Sequence, residues 1–139
     1  MEKTQKITVS AAIHAAVSKV WEHYTLPEHV MHWNQASDDW YCPHAKNDLS
    51  IGGRFVYGMA AKDGSFSFDF GGTYTDIKIN EQIAYTMDDN RKAEVTFSPQ
   101  GNETKVTVTF DPEMENTREL QEGGWQAILN NFKKYVEGV

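Results

Sequence analysis

The chain lacks a second cysteine and any long apolar run, and each absence removes a class of structure. Cys42 is the single cysteine, which excludes an intrachain disulfide and is typical of a reducing cytoplasm. No apolar run approaches the length of a membrane span, and no apolar signal region follows residues 1–6. These features predict a cytoplasmic protein without a membrane span.

Basic residues are also scarce. The chain has 13 Lys and Arg against 20 Asp and Glu, for a formal charge of −7. A surface of this charge repels phosphate backbones, so we expect no nucleic-acid partner. What the chain does have is 40% hydrophobic residues and four tryptophans. Its 139 residues are enough to bury a core, and we expect residues 1–139 to form a single domain.

Apolar residues alternate in six segments, which predicts an antiparallel sheet of about six strands. The first segment begins at Ile7, and the other five follow one another from residue 53 onward with hairpin turns between them. Between the first and second segments, helical spacing predicts two short helices, of which the second begins at Pro27 and reaches Trp33. Residues 34–50 are rich in turn formers and are predicted to be irregular.

Two further details bear on the shape of the sheet and its cover. The apolar residues stand at even positions before Gly71–Gly72 and at odd positions after it. This change of face indicates a β-bulge and a sharp bend in a long strand. A continuous apolar stripe predicts a C-terminal helix over roughly residues 124–137. Gly123–Gly124 weakens any helix that runs through it, so the helix is expected to begin there, or residues 116–122 form a separate turn.

A sheet with one apolar face needs a cover, and the C-terminal helix is the only long amphipathic one that the pattern offers. A strongly bent sheet around a helix cannot fill its concave side uniformly. We therefore predict an α+β fold with an apolar cavity beneath the helix, which is a common kind of ligand site. The predicted cavity walls are Trp33, Phe55, Tyr57, Phe68, Phe70, Tyr85, Met87, Phe97, Trp125, Leu129 and Phe132.

Among these wall residues, the two tyrosines matter most for recognition. A buried hydroxyl needs a hydrogen-bond partner, and a ligand could supply it to Tyr57 or Tyr85. For any single wall residue, ordinary core packing is the simpler interpretation, whereas the set as a whole favours a partly open cavity. Trp33 and Trp125 are expected at its mouth, where their large amphipathic rings would meet an entering ligand.

An ordered set of short motifs covers nearly the whole chain. The motifs are Val20-Trp21-Glu22, Leu26-Pro27-Glu28, Trp33, residues 48–55, Asp63-Gly64-Ser65, Gly72-Thr73-Tyr74 and Gly124-Trp125. Together they resemble the activator-of-heat-shock-protein-90-ATPase homologue-like family of the START-like superfamily, which also contains the birch-pollen allergen and polyketide cyclases. The resemblance implies a helix-grip fold with a hydrophobic cavity. In that family, chaperone activation belongs to a longer architecture with an additional N-terminal domain, for which 139 residues leave no room.

Metal and cofactor binding are not expected. His29, His32, Cys42 and His44 are the residues that could be combined around zinc. Zinc motifs usually bring paired cysteines or a supporting carboxylate at defined spacing, and this pattern is missing. The sequence therefore predicts no metal and no cofactor.

Catalytic residues cannot be assigned from the sequence. Cys42 with His44 or His32 is the only plausible nucleophile and base, but acidic surroundings disfavour a thiolate. His32 and Asp69 are the remaining candidates for acid–base chemistry.

Three functions stay open. The favoured one is non-enzymatic binding of a small hydrophobic or amphipathic molecule in the cavity. The alternatives are a cavity enzyme of the cyclase or hydrolase type, and an interaction module that acts on a chaperone or another protein. A polar group at the reactive atom of a ligand would favour the enzyme, and a large exposed apolar patch outside the cavity would favour the module.

Overall fold

A curled antiparallel sheet grips a long helix in the computed structural model, which describes residues 5–138. The strands are β1 (Ile7–Ile13), β2 (Trp40–Tyr41), β3 (Ala45–Asn47), β4 (Arg54–Ala61), β5 (Ser67–Lys78), β6 (Gln82–Met87), β7 (Lys92–Gln100) and β8 (Glu103–Phe110). The helices are α1 (Val17–Thr25), α2 (Pro27–Trp33) and α3 (Arg118–Glu137). Residues 1–4, which belong to the N-terminal segment inspected for a signal, lie outside the described residues. The predicted α+β helix-grip fold is confirmed.

The strands follow the order β1-β8-β7-β6-β5-β4-β2, and β3 also pairs with β4. From β4 to β8 each strand pairs with the next one along the chain, while β1 pairs with β8. In that pairing Ile7 lies opposite Phe110, and Ile13 lies opposite Thr104. The first and last strands therefore form one end of the sheet, and β4 with its short partners forms the other.

Residues 34–50 are more regular than predicted, because they contain β2 and β3. Trp40 lies opposite Ala61, and Ala45 lies opposite Tyr57, so both short strands extend the sheet beyond β4. The backbone groups on the outer edge of β4 need partners, and these segments supply them. Strands of two and three residues are too short to show an alternating pattern of their own.

The bulge in β5 lies farther along the strand than predicted. The pairing with β6 shifts between Tyr74 and Asp76, whereas Gly71–Gly72 keeps its regular pairing with β4. The glycines serve close packing instead. A Cβ at Gly72 would lie 2.9 Å from the ring of Phe55 and 2.8 Å from the carbonyl oxygen of Thr86. Glycine there leaves room for the Phe55 ring on the concave face.

Helix α3 begins at Arg118 rather than near residue 124, so Gly123–Gly124 lies inside it. Thr117 caps the helix, and its hydroxyl oxygen accepts a hydrogen bond from the Leu120 amide at 3.1 Å. A cap of this kind contributes about 1 kcal/mol, comparable with the cost of one helical glycine. The cap and its surroundings therefore extend the helix past the point where the glycines alone predicted its start.

The solid core lies where α3 packs on β1 and meets α1 and α2. The largest apolar side chains with less than 2% exposure are Phe110, Phe132, Ile13, Val20, Val30, Val95, Val106 and Val136. The first half of β5 is different, since Phe68 is 45% exposed and Phe70 is half-buried. The concave face near β4 and β5 is thus covered less completely than the face near β1 and β8.

Candidate functional site

A cavity of about 290 Å³ lies on the concave side of the sheet. Its walls come from the ends of α1 and α2, from β4, β5, β6 and β8, and from α3. Nine of the eighteen lining residues are aromatic, and Arg91 and Glu113 are the charged ones within residues 5–138. An apolar, concave space with a few polar groups is the usual form of a small-molecule site.

Eight of the eleven predicted wall residues line this cavity. They are Trp33, Phe55, Tyr57, Phe68, Phe70, Tyr85, Trp125 and Leu129. Met87, Phe97 and Phe132 are 3%, 4% and 0% exposed, and they belong to the packed core outside the cavity lining. The Phe132 ring lies 4.9 Å from the ring of Trp33, so it supports the wall from behind. That the lining residues contact a ligand stays a prediction.

Tyr24 and Tyr74 also line the cavity, and sequence reasoning missed both. Tyr24 continues the helical spacing of Val20 and Trp21 in α1, and spacing alone does not distinguish a buried helix face from a cavity wall. Tyr74 is missing from the predicted wall because a bulge at Gly71–Gly72 would place its side chain on the other face of the sheet. With the bulge beyond Tyr74, the alternation from Phe68 through Phe70 to Tyr74 continues on the concave face, and this was the available signal.

The most exposed part of the described cavity lining is on β5, at Phe68. The rings of Phe70 on β5 and Trp125 on α3 are in edge-to-face contact, 6.0 Å apart and nearly perpendicular. Trp125 is half-buried and stacks on Phe110 at 3.8 Å, whereas Phe68 is largely exposed. Trp33 forms an inner wall rather than the mouth, because it is 3% exposed and its indole nitrogen donates to a backbone carbonyl at 3.0 Å.

Four tyrosine side chains line this cavity, and three of them surround Phe55. The Phe55 ring centroid lies 5.0 Å from that of Tyr57, 5.5 Å from that of Tyr74 and 4.8 Å from that of Tyr85. Burial raises the pKa of Tyr74 to about 12 and raises the pKa of Tyr24, Tyr57 and Tyr85 well above the ordinary value. All four hydroxyls are therefore protonated at neutral pH.

A hydrogen-bonded chain ties Tyr74 to the scaffold. The Tyr74 hydroxyl donates to the side-chain oxygen of Asn47 at 2.5 Å, and the Asn47 amide nitrogen donates to the carbonyl of Thr25 at 2.7 Å. This chain links β5 through β3 to the end of α1. Tyr57 interacts with Tyr74, and this interaction adds to burial in raising the pKa of Tyr57.

The charged lining residues are held by their neighbours. Arg91 donates from Nε to the Asp89 carboxylate at 2.7 Å and from Nη1 to the carbonyl of Asp111 at 3.2 Å. The Glu113 carboxylate accepts hydrogen bonds from the side chain and backbone of Asn116, which lower the pKa of Glu113. Arg91 is ion-paired and the Glu113 carboxylate is hydrogen-bonded, so both fix the loop before α3 rather than stand ready for chemistry.

The residues weighed for zinc or catalysis lie in separate places. The His29 ring is hydrogen-bonded to the hydroxyl of Tyr135 at 2.6 Å, whereas His44 pairs with Asp69 at 2.9 Å on the sheet. Burial raises the pKa of the Cys42 thiol, and its sulfur donates to a backbone carbonyl. A thiol with a raised pKa is a poor nucleophile.

A different cluster brings three ligand-type side chains together. Within residues 5–138, Glu22, His23 and His29 have potential ligand atoms within 4.8 Å of one another. The two imidazole rings stack at 4.1 Å with planes only 19° apart, and Nδ1 of His23 donates to the Lys19 carbonyl at 2.8 Å. Lone pairs of stacked rings lie in nearly parallel planes and do not converge on one ion, so this geometry favours ring stacking over metal binding.

Comparison with other proteins places the fold among known relatives. The sequence profile of the family described as Activator of Hsp90 ATPase homolog 1-like protein matches residues 14–137. No curated protein matches the chain significantly. No helix among the described residues is both long and apolar enough to cross a membrane.

Solved structures agree over most of the chain. An AHSA1-like protein from Aeromonas hydrophila is 43% identical, with a TM-score of 0.90, over 96% of this chain and 92% of that one. A protein from Cytophaga hutchinsonii is 53% identical, with a TM-score of 0.83 and the same coverage. A protein from Chromobacterium violaceum shares the fold at 20% identity, with a TM-score of 0.85 over 97% of this chain and 99% of that one. The chain therefore belongs to the family of Activator of Hsp90 ATPase homolog 1-like proteins, within the START-like superfamily.

Proposed function

We propose that this protein binds a small hydrophobic or amphipathic molecule in the cavity between its sheet and α3. The observation that carries the proposal is an aromatic-walled space of about 290 Å³ beside a core of fully buried side chains. Protein interiors rarely leave space larger than a water molecule, because empty space forfeits packing energy. A ligand that fills the cavity would restore those contacts.

The polar groups of the cavity support an amphipathic ligand rather than a plain hydrocarbon. Tyrosine hydroxyls lie among the aromatic walls, and Arg91 with Glu113 contributes the charged part of the lining. In small-molecule sites, a few polar groups of this kind fix the orientation of a mainly apolar ligand. We expect micromolar affinity, since burial gains roughly 25 cal/mol per Å² but ordering and desolvation cancel much of that gain.

A ligand panel tests the proposal directly. Fatty acids, flavonoids and polyketide-like aromatics are titrated while tryptophan fluorescence is followed, because Trp33 and Trp125 line the cavity whereas Trp21 and Trp40 do not. We expect a saturable change that persists in Trp40→Phe and is reduced in Trp125→Phe. Native mass spectrometry of protein purified from its own host looks for a co-purified small molecule. A silent panel together with protein that carries no ligand would overturn the proposal.

Enzymatic catalysis is the less favoured function for this cavity. Glu113 is the lining carboxylate within residues 5–138, and its oxygens are already engaged by Asn116. A general acid or base needs a proton-accepting group in reach of the reacting atom. The tyrosines stay protonated, so they supply donors for binding but no base.

A protein-docking function is also less favoured. The exposed aromatic residues on the hairpin between β4 and β5 are Phe66 at 59% and Phe68 at 45%. Phe68 lines the cavity, and the ring of Phe66 lies 5.7 Å from that of Phe68, so this exposed aromatic pair adjoins the cavity rather than standing apart from it.

We further propose that residues 1–139 act as one domain and that the protein is cytoplasmic without a nucleic-acid partner. The single cysteine and the formal charge of −7 support this view. Limited proteolysis tests the first statement, since a fragment that stays folded after cleavage would contradict it. Cell fractionation tests the second.

A further inference from the structure

Two tyrosine hydroxyls in the cavity have no hydrogen-bond partner within the described part of the chain. Tyr85 is 8% exposed, and neither its hydroxyl nor that of Tyr24 makes a hydrogen bond there. Among the side-chain oxygen and nitrogen atoms of residues 5–138, only Gln35 Oε1 is both fully occluded and without a hydrogen-bond partner. The Tyr85 hydroxyl also lacks a partner, so it is not fully occluded and borders open cavity space. Buried polar groups are nearly always hydrogen-bonded, which makes this arrangement a sign of an outside partner.

The hydrogen-bonded chain beside them fixes which hydroxyls have a proton to give. Since the Asn47 amide nitrogen donates to the Thr25 carbonyl, the Asn47 side-chain oxygen must accept. Tyr74 therefore donates to Asn47, and its proton is engaged within the protein. Tyr57 interacts with Tyr74, whereas Tyr24 and Tyr85 have no such hydrogen-bonding neighbour among the described residues.

The protons of Tyr24 and Tyr85 are the ones left for a ligand. Both side chains line the same cavity, Tyr85 from β6 and Tyr24 from the end of α1. Both phenols stay protonated at neutral pH because burial raises the pKa of each. The cavity lining therefore contains two hydrogen-bond donors that are not engaged within the described part of the chain.

We propose that the ligand carries a neutral carbonyl oxygen that accepts a hydrogen bond from Tyr85, with Tyr24 as a second donor in the same lining, while its apolar body lies against Phe55, Phe70 and Trp125. This inference rests on the function proposed above and names the class of ligand. A carbonyl suits the site better than a carboxylate. The phenols are uncharged donors, and Arg91, the cation of the described lining, is already engaged by Asp89 and the Asp111 carbonyl. A desolvated carboxylate needs a paired charge, whereas a ketone needs only donors.

The test compares 2-acetylnaphthalene with 2-ethylnaphthalene, which have the same ring system and the same number of carbon atoms and differ in the carbonyl oxygen. The proteins are wild type, Tyr85→Phe, Tyr24→Phe and, as a control outside the cavity, Tyr135→Phe. We expect Tyr85→Phe to weaken ketone binding about tenfold and Tyr24→Phe to weaken it by a similar or smaller factor. Neither change should alter binding of the hydrocarbon, and Tyr135→Phe should alter neither ligand.

Infrared spectroscopy gives a readout that a purely structural role would not move. The stretching frequency of the bound carbonyl should lie below its value in a hydrocarbon solvent and should rise again in Tyr85→Phe. Equal affinity of the two ligands for wild type, or an unshifted carbonyl band, would overturn the inference and leave the proposed function standing. Tighter binding of 2-naphthoate than of the ketone would also overturn it. If neither neutral ligand binds and the wider panel is silent too, the proposed function itself fails.

Discussion

The two ends of the sheet meet helix α3 in different ways. At the end formed by β1, β8 and β7, the helix packs on β1, and Val106, Phe110 and Phe132 are all 0% exposed. At the end formed by β4 and β5, aromatic side chains face a cavity, and Phe68 is 45% exposed.

The same sequence pattern produces both ends. Both β4 and β8 place large apolar side chains on the concave face at alternate positions. What differs is the distance to the cover, because α3 packs mainly on β1 while β5 curves away from it. Alternation thus predicts which residues face inward, but the position of the helix decides whether they form core or cavity wall.

The largest expected effect on stability comes from removing a buried side chain at the end of the sheet formed by β1, β8 and β7. Phe132→Ala should lower the free energy of unfolding by about 3–5 kcal/mol, because the ring is completely buried among Trp33 and Tyr24. Phe68→Ala is the matched change at the open end and should cost less than about 1 kcal/mol, since the ring is already half in water. Urea denaturation of both variants measures the difference. Equal losses of unfolding free energy would contradict the proposed difference between the two ends of the sheet.

A smaller effect is expected at the helical glycines near the cavity. A Cβ at Gly123 or Gly124 would meet no described atom within 4 Å, so alanine fits at both positions. Each alanine should raise stability by about 0.5–1 kcal/mol through helix propensity. If bending at this point admits ligands, the double variant should also bind and release them more slowly, as measured by stopped-flow fluorescence.

Gly101→Ala is the matched control for these changes. Gly101 has φ of +65°, so alanine is strained there and should lower stability by about 1 kcal/mol. If Gly123→Ala and Gly124→Ala are destabilising as well, the glycines have a packing role that the present account does not include.

The smallest effect concerns pH at the junction of α1 and α2. Burial lowers the pKa of His29 below its ordinary value of 6.5, and the neighbouring His23 lowers it further. Because the folded pKa is depressed, the unfolded state binds the proton more readily. The stability that the neutral ring contributes is therefore present above pH 6.5 and is lost as the pH falls below that value.

The groups around the His29 ring shift its pKa in opposite directions, which keeps the net pH dependence of stability small. His32 adds to the lowering, while Glu22 and Glu28 raise the pKa, and the Tyr135 hydroxyl is hydrogen-bonded to the ring. Thermal melts of wild type and His29→Asn between pH 5 and 8 measure the contribution. The wild-type melting temperature should fall more steeply below pH 6.5 than that of the variant, and parallel curves would rule out His29 as the cause.

Much of the fold follows from the sequence, and the misses have physical causes. Period-two and helical patterns predicted the main strands, the early helices and the long C-terminal helix. They missed β2 and β3, which form to pair the edge of β4 and show no pattern of their own. They also placed the bulge at glycines that instead accommodate the Phe55 ring, and this hid Tyr74 from the predicted site.

The start of α3 and the lining of the cavity also depend on contacts that a periodic sequence pattern does not show. The cap at Thr117 and the Gln121 side chain, which accepts from the backbone of Glu113 and donates to the carbonyl of Asn116, begin α3 ahead of its glycines. Such contacts join residues whose side chains carry no periodic signal. Likewise Met87, Phe97 and Phe132 match the wall residues in type, and their place in the solid core depends on where α3 lies.

The most direct test of the ligand cavity is a map of backbone amide shifts as the protein is saturated with 2-acetylnaphthalene. The account predicts saturable shifts along the inward-facing positions of β4, β5 and β6 and in residues 123–132, with the outer face of β1 and β8 unchanged. Shifts spread over the outer face of the sheet, or no shifts at concentrations that saturate a micromolar site, would contradict the claim that this cavity binds small molecules.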